Sequence, residues 1–160
     1  MRFHSLPDSK RYAEHEGEYQ VLLERQHTVL ADLGAPPQLV VVTCEWGDQV
    51  EPAGRPQELE ALAPGTYWRT VSEVDATDPG SQLHTHLYAG IMPNTTVALD
   101  PLLRSVADYR TADIIIAPVS LAWLAHPYDG GVDVIARDTA EREALKARHS
   151  DWLSRRPDGV

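Results

Sequence analysis

Hydrophobic residues near the start of this chain recur at the 3.6-residue spacing of a helix. The apolar stripe runs through residues 19–33, with acidic residues before it. Asp8 or Ser9 is placed to cap the first turn, and Gly34 is placed at the C-terminal end. The pattern therefore predicts a long N-terminal helix over 12–33.

Other segments alternate between apolar and polar residues or are short β-branched runs, and both patterns are typical of strands. Strands are predicted at 39–44, 67–71, 83–89, 114–116, 121–126 and 132–136, with 2–7 as an ordered arm or short strand. Further helices are predicted directly after Pro56, at 99–109 and at 139–153. The 73–80 stretch is predicted to be a turn or mobile loop, and Pro157-Asp158-Gly159 to end the last helix.

These elements predict an α+β fold in a single domain, 1–160. The expected sheet is mainly antiparallel or mixed, with about five or six strands. The N-terminal helix and two further helices are expected to pack on it. Helices alternate with strands too rarely for a doubly wound sheet.

The segment 123–135 combines a turn signal with several chemically useful side chains. Pro127 and the Asp-Gly-Gly step after Tyr128 favour a sharp reversal between two strands. An exposed hairpin of this kind could anchor a partner protein. The candidate binding residues are Trp123, His126, Tyr128 and Asp129, together with His86 and Tyr88 on an earlier strand. The alternative is that the turn residues only form the turn and that the aromatic residues are core or edge residues.

The strand at 83–89 separates its residues into two sets. Leu83, Thr85, Leu87 and Ala89 share one face, and His84, His86 and Tyr88 share the other. The histidine face has two interpretations. It could supply metal ligands together with His126, Asp129 and Asp133, or it could be a cross-strand His/Tyr face that packs under a helix.

Charge narrows the range of partners. The 160 residues carry a formal net charge of −10, distributed as −11 over 1–136 and +1 over 137–160. Nucleic acid is disfavoured because its phosphates require a concentrated basic surface, whereas a basic protein partner is permitted. The alternative interpretation is that the negative charge only keeps the protein soluble. The oligomeric state is left open.

The cysteine content, the length of the apolar runs and the motifs of the sequence indicate the cellular compartment and the possible chemistry. Cys44 is the single cysteine and no apolar run is long enough for a membrane span, so a cytoplasmic protein without membrane association is expected. Cys44 itself is expected in the core rather than as a nucleophile. The motifs of phosphoryl transfer, dinucleotide binding and acyl transfer are missing, so no catalytic residue, cofactor or bound metal is predicted.

Three segments resemble an uncharacterised family of small bacterial proteins that is defined as a domain of unknown function. They are 2–12, 99–108 and the pattern Trp-x-x-His-Pro-Tyr-Asp-Gly-Gly-x-Asp-Val-Ile at 123–135. The resemblance implies no established activity. His84 has no counterpart in the family pattern, which counts against a two-histidine metal site.

Two functions remain as hypotheses. The first is a noncatalytic cytoplasmic protein-binding module, of which immunity proteins are one small α+β type. The alternative is a metal-dependent hydrolase that uses His86, His126 and nearby carboxylates.

Overall fold

The computed structural model describes residues 1–74, 82–111 and 113–153. In these ranges the chain forms one antiparallel sheet in the order β1-β7-β6-β5-β2-β4-β3. The strands are β1 Arg2–His4, β2 Gln38–Gly47, β3 Thr66–Val74, β4 Gln82–Pro93, β5 Ile115–Ala117, β6 Leu124–Tyr128 and β7 Gly131–Ile135. The helices are α1 Glu16–Asp32, α2 Gln57–Leu62, α3 Thr96–Ala107 and α4 Thr139–Arg148, with short 3-10 turns at Pro7–Ser9 and Ser150–Trp152. Most of the predicted 73–80 loop and all of Pro157-Asp158-Gly159 lie outside the described residues.

The α+β class is confirmed, but the predicted number of strands is wrong, since the sheet has seven. The additional strand is the N-terminal arm, which pairs along the edge of β7 with Arg2 opposite Asp133. Three residues are too few to show a period, and the pairing partner is remote in sequence. The N-terminal segment therefore becomes a strand only because β7 presents an open edge to it.

The helices α1 and α3 begin at other residues than predicted, because the backbone conformation and the capping residues set their ends. Asp8 and Ser9 have φ values of 55° and 58°, so they form a tight turn and do not cap α1, which begins later, at Glu16. Gly34 has a φ of 68°, the left-handed conformation that ends many helices. Thr95 caps α3 by accepting a hydrogen bond from the Ala98 backbone N–H at 3.3 Å, which starts this helix before the predicted 99–109.

The last helix is shorter than predicted, because α4 ends at Arg148 and a 3-10 turn follows. Its N-terminus is capped in a manner similar to a capping box, with the second bond one residue before the N-cap. Asp138 accepts from the Glu141 backbone N–H at 2.8 Å, and the Glu141 carboxylate accepts from the Arg137 N–H at 2.8 Å.

One hydrophobic core joins the helices to a single face of the sheet. Each helix contributes at least one buried leucine to it: Leu22 of α1, Leu59 of α2, Leu102 of α3 and Leu145 of α4. The strand residues of the core alternate along their strands, and the set includes Phe3, Leu39, Val41, Met92, Ile116, Ala125, Val132 and Val134. We call this side of the sheet the helix face and the opposite side the open face. None of the helices in the described ranges is long and apolar enough to cross a membrane.

Candidate functional site

The predicted hairpin is present. β6 and β7 pair from Leu124 opposite Ile135 to Tyr128 opposite Gly131, and Asp129 and Gly130 make the reversal. The alternation of the two strands then decides which side chains are accessible. Ala125 belongs to the core, on the helix face. Because side chains alternate along a strand, His126 and Tyr128, one and three residues later, project onto the open face.

Two of the candidate binding residues face inward. Trp123 is only 2% exposed and belongs to the hydrophobic core. Asp129 is 5% exposed and accepts a hydrogen bond from Arg11 Nε at 2.6 Å. Neither side chain is placed to contact a partner directly, so their part at this site is to build the hairpin.

His126 and Tyr128 lie beside an ion pair on the open face. Arg2 donates from Nε and Nη2 to the two carboxylate oxygens of Asp133 at 2.8 and 2.7 Å. The hydrogen bond to Asp133 raises the pKa of Arg2, and the guanidinium lies 5.0 Å from the centre of the Tyr128 ring. Burial raises the pKa of the Tyr128 hydroxyl to about 12, so this phenol stays neutral at physiological pH.

A surface groove of about 470 Å³ lies next to these residues. Its lining includes the apolar side chains of Ile115, Leu124 and Ile135, and the polar groups Arg2, His126 and Asp133. We call it the hairpin groove. Ile135 is 67% exposed, and the Asp113 carboxylate, 59% exposed, lies 3.5 Å from His126 Nε2. A pocket of this volume with apolar walls and a few polar groups has the general composition of a binding site.

The other two candidates, His86 and Tyr88, are buried on the helix face. His86 is 3% exposed, and its Nδ1 is 2.8 Å from the Thr70 hydroxyl on the paired strand β3. His84 has the equivalent partner in Ser72, at 2.7 Å. Each histidine is thus one half of a cross-strand polar pair, which holds β3 against β4.

Tyr88 lies under Arg55, a residue that the sequence analysis did not single out. The Arg55 side chain is 2% exposed and donates to Glu60 at 2.8 Å, to the Thr43 hydroxyl at 2.9 Å and to the Ala63 carbonyl at 2.8 Å. These contacts fix the 47–56 loop and α2 to the sheet. An arginine in a polar loop carries no local signal of burial, because its partners come from three separate segments.

The ligand set of the hydrolase hypothesis is not assembled. His86 belongs to the helix face and His126 to the open face, so the two imidazoles cannot bind one ion. Within 1–74, 82–111 and 113–153, no three His, Cys, Asp or Glu side chains are grouped so that they could hold a metal.

Cys44 is buried, as expected, at 6% exposure. It lies opposite Leu87, on the open face. Burial raises the pKa of its thiol to about 12, which removes the thiolate that a nucleophile needs.

The fold and the groove define an α+β domain with helices on one side of its sheet and a candidate binding surface on the other. A family model for a domain of unknown function, DUF3885, matches residues 1–157, and the chain belongs to this family. A comparison with curated proteins and a comparison with solved structures each gave no match.

Proposed function

We propose that this protein is a noncatalytic protein-binding module whose hairpin groove receives a basic segment of a partner protein. The observation that carries the proposal is the groove itself, in which one exposed and two partly buried apolar side chains adjoin fixed polar groups on a hairpin. Rigid hairpins of this kind hold an anchor residue of a partner at little entropic cost.

The groove indicates the chemistry of the partner segment. Leu124 and Ile135 offer a surface for an apolar or aromatic side chain. Arg2 is neutralised by Asp133, and the Met1 amino group, which also lines the groove, donates to the Val134 carbonyl at 2.8 Å. The Asp113 carboxylate lies near the rim, 3.5 Å from His126 Nε2. A lysine or arginine beside the apolar anchor fits this carboxylate, and the net charge of −10 favours the approach of such a segment.

The polar groups of the groove support binding more than catalysis. The Asp133 carboxylate accepts both of its hydrogen bonds from Arg2, and Tyr128 is a neutral phenol. A general base needs a free acceptor within reach of its substrate, and Asp133 and Tyr128 do not supply one. His126 is the remaining imidazole of the groove, and the test below includes its substitution. An immunity protein, whose partner is a toxin, is one particular form of this proposal. Identification of the captured partner would test this form.

The test is quantitative capture of partners from the native lysate, followed by measurement of the dissociation constant for the protein recovered. We expect Ile135→Asp and Asp113→Asn to weaken binding, Ile135→Asp by about tenfold or more, because a buried anchor contact is worth roughly 1–2 kcal/mol. Val97→Asp is the matched control, since Val97 is 86% exposed on α3, which packs on the helix face.

All three variants should keep the wild-type circular-dichroism spectrum, because the substituted side chains are exposed. Capture that survives Ile135→Asp unchanged, or turnover of a hydrolase substrate that is lost in His126→Ala, would contradict the proposal.

A further inference from the structure

A small cavity of about 100 Å³ lies beside the hairpin turn. Its lining consists of Val106, Tyr109, Thr111, Asp113, Tyr128 and Asp129. We call it the tyrosine cavity. It shares no lining residue with the hairpin groove, but it adjoins it, because Asp113 lies 3.5 Å from His126 of the groove.

The tyrosine cavity combines buried and exposed walls whose polar atoms are mostly acceptors. Val106, Thr111 and Asp129 are buried, whereas Tyr109 and Asp113 are exposed. The Thr111 hydroxyl is 2.8 Å from Ser105 Oγ, and its oxygen can accept a further hydrogen bond. None of the lining residues is cationic, so the cavity is suited to a ligand that donates hydrogen bonds and carries positive charge.

The buried carboxylate of Asp129 is only partly satisfied by its own chain. Its Oδ2 accepts from Arg11 Nε at 2.6 Å, but Arg11 Nη2 is 3.4 Å from Oδ1, outside the usual range of about 2.7–3.2 Å. A buried acceptor without a good partner is costly. Asp129 Oδ1 can therefore accept from a second donor, and the cavity gives that donor space.

Two residues of the cavity have an uncommon backbone conformation. Tyr109 and Asp113 have φ values of 61° and 52°, in the left-handed region that non-glycine residues rarely adopt. Residues held in such conformations are concentrated at sites that bind ligands. This conformation fixes both residues in the exposed wall of the cavity.

The charges at the cavity leave one carboxylate without a permanent counter-ion. Arg11 balances Asp129, and the Arg2–Asp133 ion pair is neutral in total. His126, next to Asp113, carries a charge only when its imidazole is protonated. One monovalent cation would therefore neutralise the cavity.

We infer that the tyrosine cavity binds a primary alkylammonium group, such as the end of a lysine side chain. An ammonium has three N–H donors, and the two carboxylates and the Thr111 hydroxyl are the acceptors for them. The rings of Tyr109 and Tyr128 attract a cation through their π systems.

The volume of the cavity favours an ammonium over a guanidinium. A water molecule occupies about 30 Å³ in the liquid, so the cavity holds about three non-hydrogen atoms. The nitrogen and the last two carbons of a lysine fit this space, whereas a guanidinium is flat and has four such atoms. That the lysine belongs to the captured partner rests on the proposed function, but the affinity for a free lysine does not.

The first experiment is an NMR titration of the full chain with N-acetyl-lysine methylamide at about pH 7.5, where an unperturbed imidazole is mainly neutral. The amide signals of Thr111, Asp113 and Asp129 should shift and saturate, with a dissociation constant in the millimolar range. The norleucine analogue, which lacks the ammonium, should bind at least tenfold more weakly, and the arginine analogue several-fold more weakly. Potassium chloride keeps the ionic strength constant and serves as the reference cation.

The second experiment changes one group at a time. Asp113→Asn should weaken lysine binding at least tenfold, because it removes the unbalanced charge, and asparagine tolerates the left-handed backbone. Tyr109→Ala should weaken binding several-fold, whereas Tyr109→Phe keeps the ring and the affinity. Glu24→Gln is the matched control with the same loss of one negative charge, since Glu24 is exposed on α1, and it should bind like the wild type.

Shifts that do not saturate, a norleucine analogue that binds as well as lysine, or potassium chloride that reproduces the shifts would overturn the inference. Wild-type affinity in Asp113→Asn would overturn it too. If the circular-dichroism spectrum of Asp113→Asn shows a folding defect, the comparison of Tyr109→Ala with Tyr109→Phe decides.

The inference and the proposed function fail separately. Ile135→Asp should not weaken lysine binding, because Ile135 does not line the tyrosine cavity. Partner capture that is lost in Ile135→Asp, without any binding of free lysine to the wild type, would overturn the inference and leave the function. Saturable lysine binding without a captured partner would support the cavity and contradict the function.

Discussion

At the scale of single residues, the Cys44 thiol gives a direct chemical test of the open face. Burial raises its pKa from 9.0 to about 12, so the thiol keeps its proton through the neutral range. At about pH 8 the thiolate fraction is then roughly a thousandfold lower than in the unfolded chain. Alkylation by iodoacetamide should be slower in the native protein by at least that factor, and fast in urea.

The same shift has a consequence for stability. Because folding raises the pKa of this acid, the folded protein loses stability as the pH rises through the unfolded value of 9.0 toward about 12.

Mass spectrometry of the labelled protein measures the rate of Cys44 alkylation in the native protein and in urea. Native labelling as fast as labelling in urea would show that the thiol is accessible and ionised.

Side-chain accessibility at the hairpin could be predicted only in part. The two-residue period correctly separates His126 and Tyr128 from their neighbours, but it does not say which face the helices cover. Asp129 is buried because Arg11, remote in sequence, reaches its carboxylate. That pairing has no signal in the local sequence.

At the scale of elements, the β1–β7 pairing depends on a close approach at Gly131. A Cβ at this position would lie 2.1 Å from the Phe3 carbonyl oxygen and 2.8 Å from the Tyr128 hydroxyl. Gly131→Ala should therefore push β1 away from β7 and expose Phe3, which is 1% exposed in the wild type. The expected loss is about 2–4 kcal/mol of the free energy of unfolding, or roughly 5–15 °C in Tm.

The matched control is Gly17→Ala in α1, where the nearest atom to a new Cβ is a His15 ring atom at 3.4 Å. Alanine is the better helix former by about 1 kcal/mol, so this variant should melt at or above the wild-type temperature. Calorimetry of both variants decides the matter, and a Gly131→Ala protein that melts like the wild type would contradict the tight contact with β1.

Elements with a strong local pattern were predicted as definite helices or strands, whereas β1 was predicted only as an ordered arm or short strand. The stripe at 19–33 and the run at 39–44 identified α1 and β2, because their residues repeat over several turns or pairs. β1 and the sheet order depend on pairings between distant segments, such as β2 between β5 and β4. Local periodicity contains no information about such partners.

At the scale of the whole molecule, the net charge of −10 favours the proposed capture of a basic segment at the hairpin groove. The acidic side chains act on an approaching segment over about one screening length, which is roughly 30 Å at about 10 mM salt and roughly 10 Å at about 100 mM. Association should therefore be faster at low salt, because more of the acidic surface then attracts the segment.

Raising the salt to about 500 mM shortens the screening length to a few ångströms and removes most of the attraction between opposite charges. Capture of a basic segment at the hairpin groove should therefore become weaker than at about 50 mM salt, while the apolar contacts of the groove are not screened. Binding titrations at the two salt concentrations measure the difference. A dissociation constant that does not change with salt would mean that the apolar contacts, and not the acidic charge, select the partner.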